Sequence, residues 1–142
     1  MKHLKLFESF NDLMFRKPSK SEIIDFRNGI ETGDEASDAL KWSIGYADAD
    51  NCVGAYLNET LVGLCYYKRT ERCTKIDLIF TSPRNQKIGK DLIDHIAELD
   101  ETGVITANPF TDESEAFFLK CGFIKDEGFD PDDSNTVVMS KV

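Results

Sequence analysis

Arg84, Lys87 and Lys90 fall within seven residues of one another around Gly89, with Gln86 among them and no acid until Asp91 and Asp94. A basic, glycine-bearing turn of this kind, leading from a strand into a helix, suits phosphate. The first amides of a helix lack intrahelical acceptors, and the helix dipole favours negative charge at that end. The chemistry indicated is retention of a nucleotide-type cofactor, with a solvated basic turn as the plain alternative. Metal chemistry lacks its parts. Cys52, Cys65, Cys73 and Cys121 show no CxxC spacing, and His3 and His95 are the only histidines. His95 reads as an exposed helix residue without a role.

The elements that must position this turn are legible around it. Ile76, Leu78 and Phe80 alternate with Asp77, Ile79 and Thr81, which predicts a strand over Lys75–Thr81 bounded by Ser82-Pro83. Ile88, Leu92, Ile96 and Leu99 recur on one face of a helix over Ile88–Leu99. Upstream, Ser19 and Glu22 form a capping box for a helix that stops at Asn28-Gly29 and buries Ile23, Phe26 and Ile30. A second helix is expected over Asp34–Ile44. Residues 1–17 allow a short strand or an amphipathic segment.

Strands Cys52–Leu57 and Leu61–Arg69 follow, joined by a tight Asn58-Glu59-Thr60 turn. Downstream come a buried strand Gly103–Ala107 and a helix Asp112–Cys121, with Asp112 and Glu115 in capping-box relation. Gly122 is its expected left-handed stop, and Phe123 the apolar residue after it. Two last strands are expected over Phe123–Asp126 and Thr136–Lys141, separated by the acidic loop FDPDDSN.

The chain has 142 residues, the size of one domain with a core of its own. With 41% hydrophobic and 30% charged residues it reads as an ordinary globular protein. No apolar run approaches the roughly 20 residues that span a bilayer, and MKHLKLFESFND lacks a signal-peptide core, so a cytoplasmic protein with reduced cysteines is expected. A net charge of −9 argues against nucleic-acid and anionic-membrane partners and is compatible with a cationic substrate.

Two segments in this order resemble the GNAT superfamily of acyl-CoA-dependent N-acyltransferases. IDLIFTSPRNQKIGKDLI (Ile76–Ile93) is similar to the strand, pyrophosphate loop and helix that hold coenzyme A; ITANPFTDESEAFFLKCGF (Ile105–Phe123) resembles the next strand and a helix ending in Gly-Phe. The resemblance covers the chain from about Cys52 to Val142. It implies an α/β (α+β) fold in one domain over residues 1–142, a mixed, largely antiparallel central sheet flanked by helices in the order ααβββαβαββ. The family's loop pattern, Q/R-x-x-G-x-G/A, can be laid on the chain in two ways. One starts from Arg84 with Lys87 where the first glycine belongs; the other, preferred for its strand exit, runs from Thr81-Ser82-Pro83 through Gln86 in a loop two residues shorter. Both end on Gly89, place Lys87 and Lys90 at the phosphates, and imply fewer loop amides than usual.

The resemblance implies attack of a neutral amine on the thioester of acetyl-CoA, the co-substrate. A lysine-like amine of pKa about 10.4 is neutral in roughly one molecule in 2,500 at pH 7, a cost of roughly 4–5 kcal/mol that a nearby carboxylate offsets by taking the proton. Asp77, on the strand before the loop, is the implied base, and Glu71 a weaker option; a solvent-facing strand residue is the plain alternative for Asp77. Backbone groups of Ile79, Phe80 and Thr81 would pair with the pantetheine arm. Arg84, Gln86, Lys87, Ile88, Gly89 and Lys90 would hold the pyrophosphate, and Asn108 the same arm. Phe118 is a further cofactor-binding position, standing where the family often has a Tyr acid. Phenylalanine donates no proton, so water, Cys121, Tyr66 or Tyr67 serves, or no acid is needed.

The implied function is N-acetyl transfer to a primary amine of a small molecule or protein. The alternative is a catalytically weak or inactive acyl-CoA-binding or interaction module of the same fold. The implied acceptor is a small-molecule or peptide amine, and a homodimer is left open.

Overall fold

Arg16, Ser19 and Glu22 fix the first described helix through purely local chemistry. In the computed structural model, which describes residues 13–30, 51–81, 85–109, 111–126, 128–129 and 136–140, the Ser19 hydroxyl accepts from the Glu22 amide at 3.2 Å. The Ser19 amide in turn donates to Glu22 Oε1 at 3.0 Å, completing the box. Arg16 donates both terminal nitrogens to the same carboxylate (3.2 and 3.1 Å). Arg16 and the Ser19 amide together hold the Glu22 carboxyl down at about 2. The helix, α1 (Lys20–Asn28), follows a three-residue strand, β1 (Met14–Arg16). Ile23, Phe26 and Ile30 are buried as expected.

Strands β2 (Cys52–Leu57), β3 (Thr60–Arg69) and β4 (Thr74–Thr81) come next, then helix α2 (Gln86–Leu99) and strand β5 (Val104–Ala107). Helix α3 (Asp112–Lys120) and strands β6 (Ile124–Lys125) and β7 (Val137–Ser140) complete the order. Among the described residues the seven strands form one sheet, ordered β1-β2-β3-β4-β5-β7-β6. β4 and β5 pair parallel, whereas β1–β2, β2–β3, β5–β7 and β6–β7 pair antiparallel. The expected mixed, largely antiparallel sheet is therefore present. The expected helix Asp34–Ile44 lies outside the described residues.

Two compact units divide the chain. The first takes residues 1–66 and 79–92. Within it the β2–β3 hairpin turns on Asn58 and Glu59, both at positive φ (51° and 67°), the twist that a two-residue hairpin favours. Gly63 on β3 lies under the start of α2, where a Cβ would come within 3.0 Å of Leu92 Cδ1 and 3.3 Å of Thr81 Cγ2. Glycine thus sets how closely that helix approaches.

The second unit takes residues 67–78 and 93–142. Its turn from α2 into β5 is closed by Asp100, a buried carboxylate. Thr74 and Thr102 hydroxyls donate to it at 2.6 and 2.7 Å, and the Gly103 amide at 2.8 Å. Burial pushes the Asp100 carboxyl up, but these hydrogen bonds outweigh it and hold the group at about 2. α3 departs from expectation at its start. Its N-cap is Thr111, whose hydroxyl accepts from the Ser114 amide at 3.0 Å, rather than Asp112 paired with Glu115. A threonine one residue earlier reaches the third helical amide, so Asp112 becomes a first-turn acid favoured by the dipole. Gly122 is left-handed at φ 100°, and the Phe123 ring behind it is buried, as expected.

Candidate functional site

The basic turn is capped from within. Asn85 Oδ1 accepts from the amides of Lys87 and Ile88 at 2.9 and 3.2 Å. The Asn85 carbonyl accepts from Gly89 at 3.1 Å, and its own amide donates to Thr81 Oγ1 at 2.8 Å. Asn85 is thus the N-cap of α2, which starts at Gln86 rather than Ile88. The first turn of α2 carries no acid, and Lys87 and Lys90 are exposed there. A phosphate approaching these amides meets favourable charge, but two of the donors are already engaged by Asn85.

The first unit thereby brings together Ile79, Phe80, Thr81, Gln86, Lys87, Ile88, Gly89 and Lys90; Arg84 lies outside the described residues. Phe80 and Ile88 are buried, and the Phe80 ring meets Phe26 edge-on at 6.1 Å. Any service they give a cofactor comes from their backbone. Tyr66, in the same unit, is buried, which pushes its phenol above the ordinary range.

The second unit holds Asp77, Asn108 and Phe118. On β4, buried Ile76 and Leu78 alternate with half-buried Lys75 and Asp77, so Lys75 and Asp77 share the open face. Asp77 pairs with Lys68 Nζ at 3.8 Å. The β4–β5 ladder runs from Thr74↔Ile105 to Ile76↔Ala107, while β4 continues to Thr81. Lys75 stands opposite Thr106, and Thr106 opposite Val138 of β7. One step further, the Thr136 hydroxyl donates to Asn108 Oδ1 at 2.9 Å. Phe118 is buried between Phe117 and Phe123, at ring separations of 5.4 and 5.2 Å. Tyr67 is half-buried beneath the Arg69 guanidinium, 5.8 Å from its ring centre.

A cleft of about 210 Å³ opens in this unit beside Lys75, lined also by Thr70, Arg72, Thr106, Asn108 and Thr136. Phe129 closes one side, with the Arg72 guanidinium 4.7 Å over its ring. Sequence reasoning missed this cleft apart from Asn108. It also missed Asn85, although an asparagine one residue before a helix start is itself a capping signal.

The Acetyltransferase (GNAT) family model matches residues 15–123. No curated protein matches the sequence. Among solved structures, the chain superposes on a GNAT-family acetyltransferase from Bacillus cereus with 21% identity and a TM-score of 0.62, over 92% of this chain and 98% of the other. The PaiA N-acetyltransferase of Thermoplasma acidophilum, in complex with coenzyme A, matches with 16% identity and a TM-score of 0.62 over the same shares. AtaT complexed with acetyl-methionyl-tRNAfMet matches with 13% identity and a TM-score of 0.63, over 91% and 95%. Of a longer Pyrococcus horikoshii chain the match spans 44%. At these identities the likeness is one of fold.

Proposed function

Because the chain belongs to the GNAT acetyltransferase family, we propose that it uses acetyl-CoA to acetylate a primary amine. The observation that carries this reading is the passage from β4 into α2. β4 extends to Thr81 past the last β5 partner of its ladder, and α2 then opens with amides and two lysines but no acid. The extended strand suits an arm that bonds alternate backbone groups, and the helix start suits a pyrophosphate. Ile79, Phe80 and Thr81 would take the arm through their backbone, and Gln86, Lys87, Ile88, Gly89 and Lys90 the pyrophosphate. Arg84 belongs to the same run of sequence.

When bound, acetyl-CoA supplies the thioester carbonyl at which an amine forms its C–N bond as the C–S bond breaks. The chain's own part is proton handling and placement. Asp77, half-buried and held by Lys68, takes the amine's proton directly or through one water. Phe118 packs against two rings and has no proton to donate, so the departing sulfur leaves as the thiolate or takes its proton from water, Cys121 or a tyrosine. Asn108, its carbonyl fixed by Thr136, retains its amide NH₂ for a ligand.

The test is release of free thiol from acetyl-CoA over an amine panel, with wild type and Asp77→Asn compared. Turnover that falls about 100-fold or more in the variant supports the base; no turnover with any amine, despite saturable cofactor binding, defeats the enzymatic reading. One observation favours a second reading. Asn85 already engages two of the amides a phosphate would use, which suits a weakly binding acyl-CoA module, and such a module would be indifferent to Asp77→Asn. The amine panel spans small-molecule, protein and RNA acceptors. AtaT, of similar fold, is found with a charged tRNA, so a net charge of −9 does not exclude nucleic acid as the sequence argument expected.

A further inference from the structure

We propose that the cleft beside Lys75, two residues from Asp77 on β4, binds an anionic group of the acceptor, a carboxylate or phosphate, through Arg72 and Lys75; this rests on the acetyl-transfer reading. Among the described residues, the lining of the cleft holds two cations and no acid. In a chain with 26 acidic and 17 basic residues that balance is not expected of an arbitrary hollow. Among the described residues neither Arg72 nor Lys75 forms an ion pair. Each therefore has its charge available to a ligand.

Arg72 is also held in place. Its guanidinium lies over Phe129, and its amide donates to Thr70 Oγ1 at 3.2 Å. A guanidinium resting over an aromatic face keeps its N–H edge for paired hydrogen bonds with a carboxylate or phosphate. Asn108 adds donors of its own: its carbonyl oxygen accepts from Thr136, which leaves the NH₂ as the free end. Arg72, Lys75 and Asn108 thus present N–H donors to a single cleft.

The position makes this an acceptor subsite. Lys75 and Asp77 share one face of β4 two residues apart, about 7 Å along the strand. A molecule anchored by its anion at Lys75 can extend an amine several bonds away to the Asp77 carboxylate. The competing occupant is a cation. Asp130, Asp132 and Asp133 stand in sequence between Phe129 and Thr136, two residues of the lining. The N–H donors of Arg72, Lys75 and Asn108, with no acid among the described lining residues, favour the anion.

Matched acceptors in the thiol-release assay decide it: n-butylamine, 4-aminobutyrate, 3-aminopropyl phosphate and putrescine, at equal concentration with saturating acetyl-CoA. The expected kcat/KM for at least one anionic amine exceeds those of butylamine and putrescine by about tenfold, expressed in KM. Arg72→Gln and Lys75→Gln should each narrow that gap. The carboxylate and phosphate arms tell the two anions apart. Preference for putrescine, or an anion preference that both variants leave intact, overturns the proposal.

A binding measurement separates this from failure of acetyl transfer itself. Butyrate or inorganic phosphate is titrated into the protein without acetyl-CoA, and amide shifts of Lys75, Thr106 and Asn108 are followed by NMR. Saturable shifts lost in Arg72→Gln support the cleft even where no amine is acetylated. Absence of saturable shifts with both anions overturns it.

Discussion

Replacing Asn85 with Ala should have opposite effects on stability and on cofactor binding. In the wild type the Asn85 side chain satisfies the amides of Lys87 and Ile88, at 2.9 and 3.2 Å. Loss of such a cap costs about 1 kcal/mol, within a range of roughly 0.5–2. For a chain of this length that is a fall in Tm of about 2–4 °C. A pyrophosphate that takes the same two amides must first displace Asn85 in the wild type, and meets no such competitor in the variant. Acetyl-CoA should then bind Asn85→Ala more tightly by up to the same ~1 kcal/mol, about fivefold in Kd. Asn85→Asp preserves a cap but sets a negative charge against the phosphate, and should weaken binding. Calorimetric melting gives the first quantity and isothermal titration the second. S-acetylpantetheine, which lacks the pyrophosphate, serves as a control whose affinity should not change. Weaker acetyl-CoA binding by Asn85→Ala, or an equal change for acetylpantetheine, would refute the competition.

Two further outcomes concern stability. Asp100, held at about 2 against an ordinary 3.8, contributes stability that is fully present above pH 4 and is lost as pH falls from about 4 toward 2. Its size is on the order of 2 kcal/mol, so urea unfolding of Asp100→Asn between pH 2 and 6 should show a lower plateau and a flatter acid limb; an acid limb matching the wild type would count against the hydrogen-bonded carboxylate. Glu59 sits at φ 67° in the β2–β3 turn, where a side chain is strained by roughly 1–2 kcal/mol. Glu59→Gly should raise stability by up to about 1 kcal/mol in a denaturant melt, net of the added flexibility of the unfolded chain.

Local chemistry was the readable part of this sequence. Ser19 with Glu22, the alternation through Ile76, Leu78 and Phe80, and Gly122 before Phe123 each act within a few residues, and the structure follows them. Where two local solutions competed, the sequence was ambiguous. Asp112 and Glu115 imitate a capping box, yet Thr111 takes the cap; Ile88 is the first apolar residue of its helix, yet Asn85 caps it and Gln86 begins it two residues before the helical pattern becomes visible. The cleft was illegible for a different reason. Its lining comes from stretches around Arg72, Thr106 and Thr136, which meet only because β5 lies parallel to β4 and antiparallel to β7. Such non-local register leaves no signature in composition or spacing. Burial was likewise tertiary: Phe118 is buried against the rings of Phe117 and Phe123.

A crystal structure of the protein with acetyl-CoA addresses the whole account at once. The expected density sets the pyrophosphate on the Lys87 and Ile88 amides with Asn85 turned aside, and the pantetheine arm along Ile79–Thr81. Acetyl-CoA bound elsewhere, or no binding at millimolar concentration with Asn85 still seated on those amides, would contradict it.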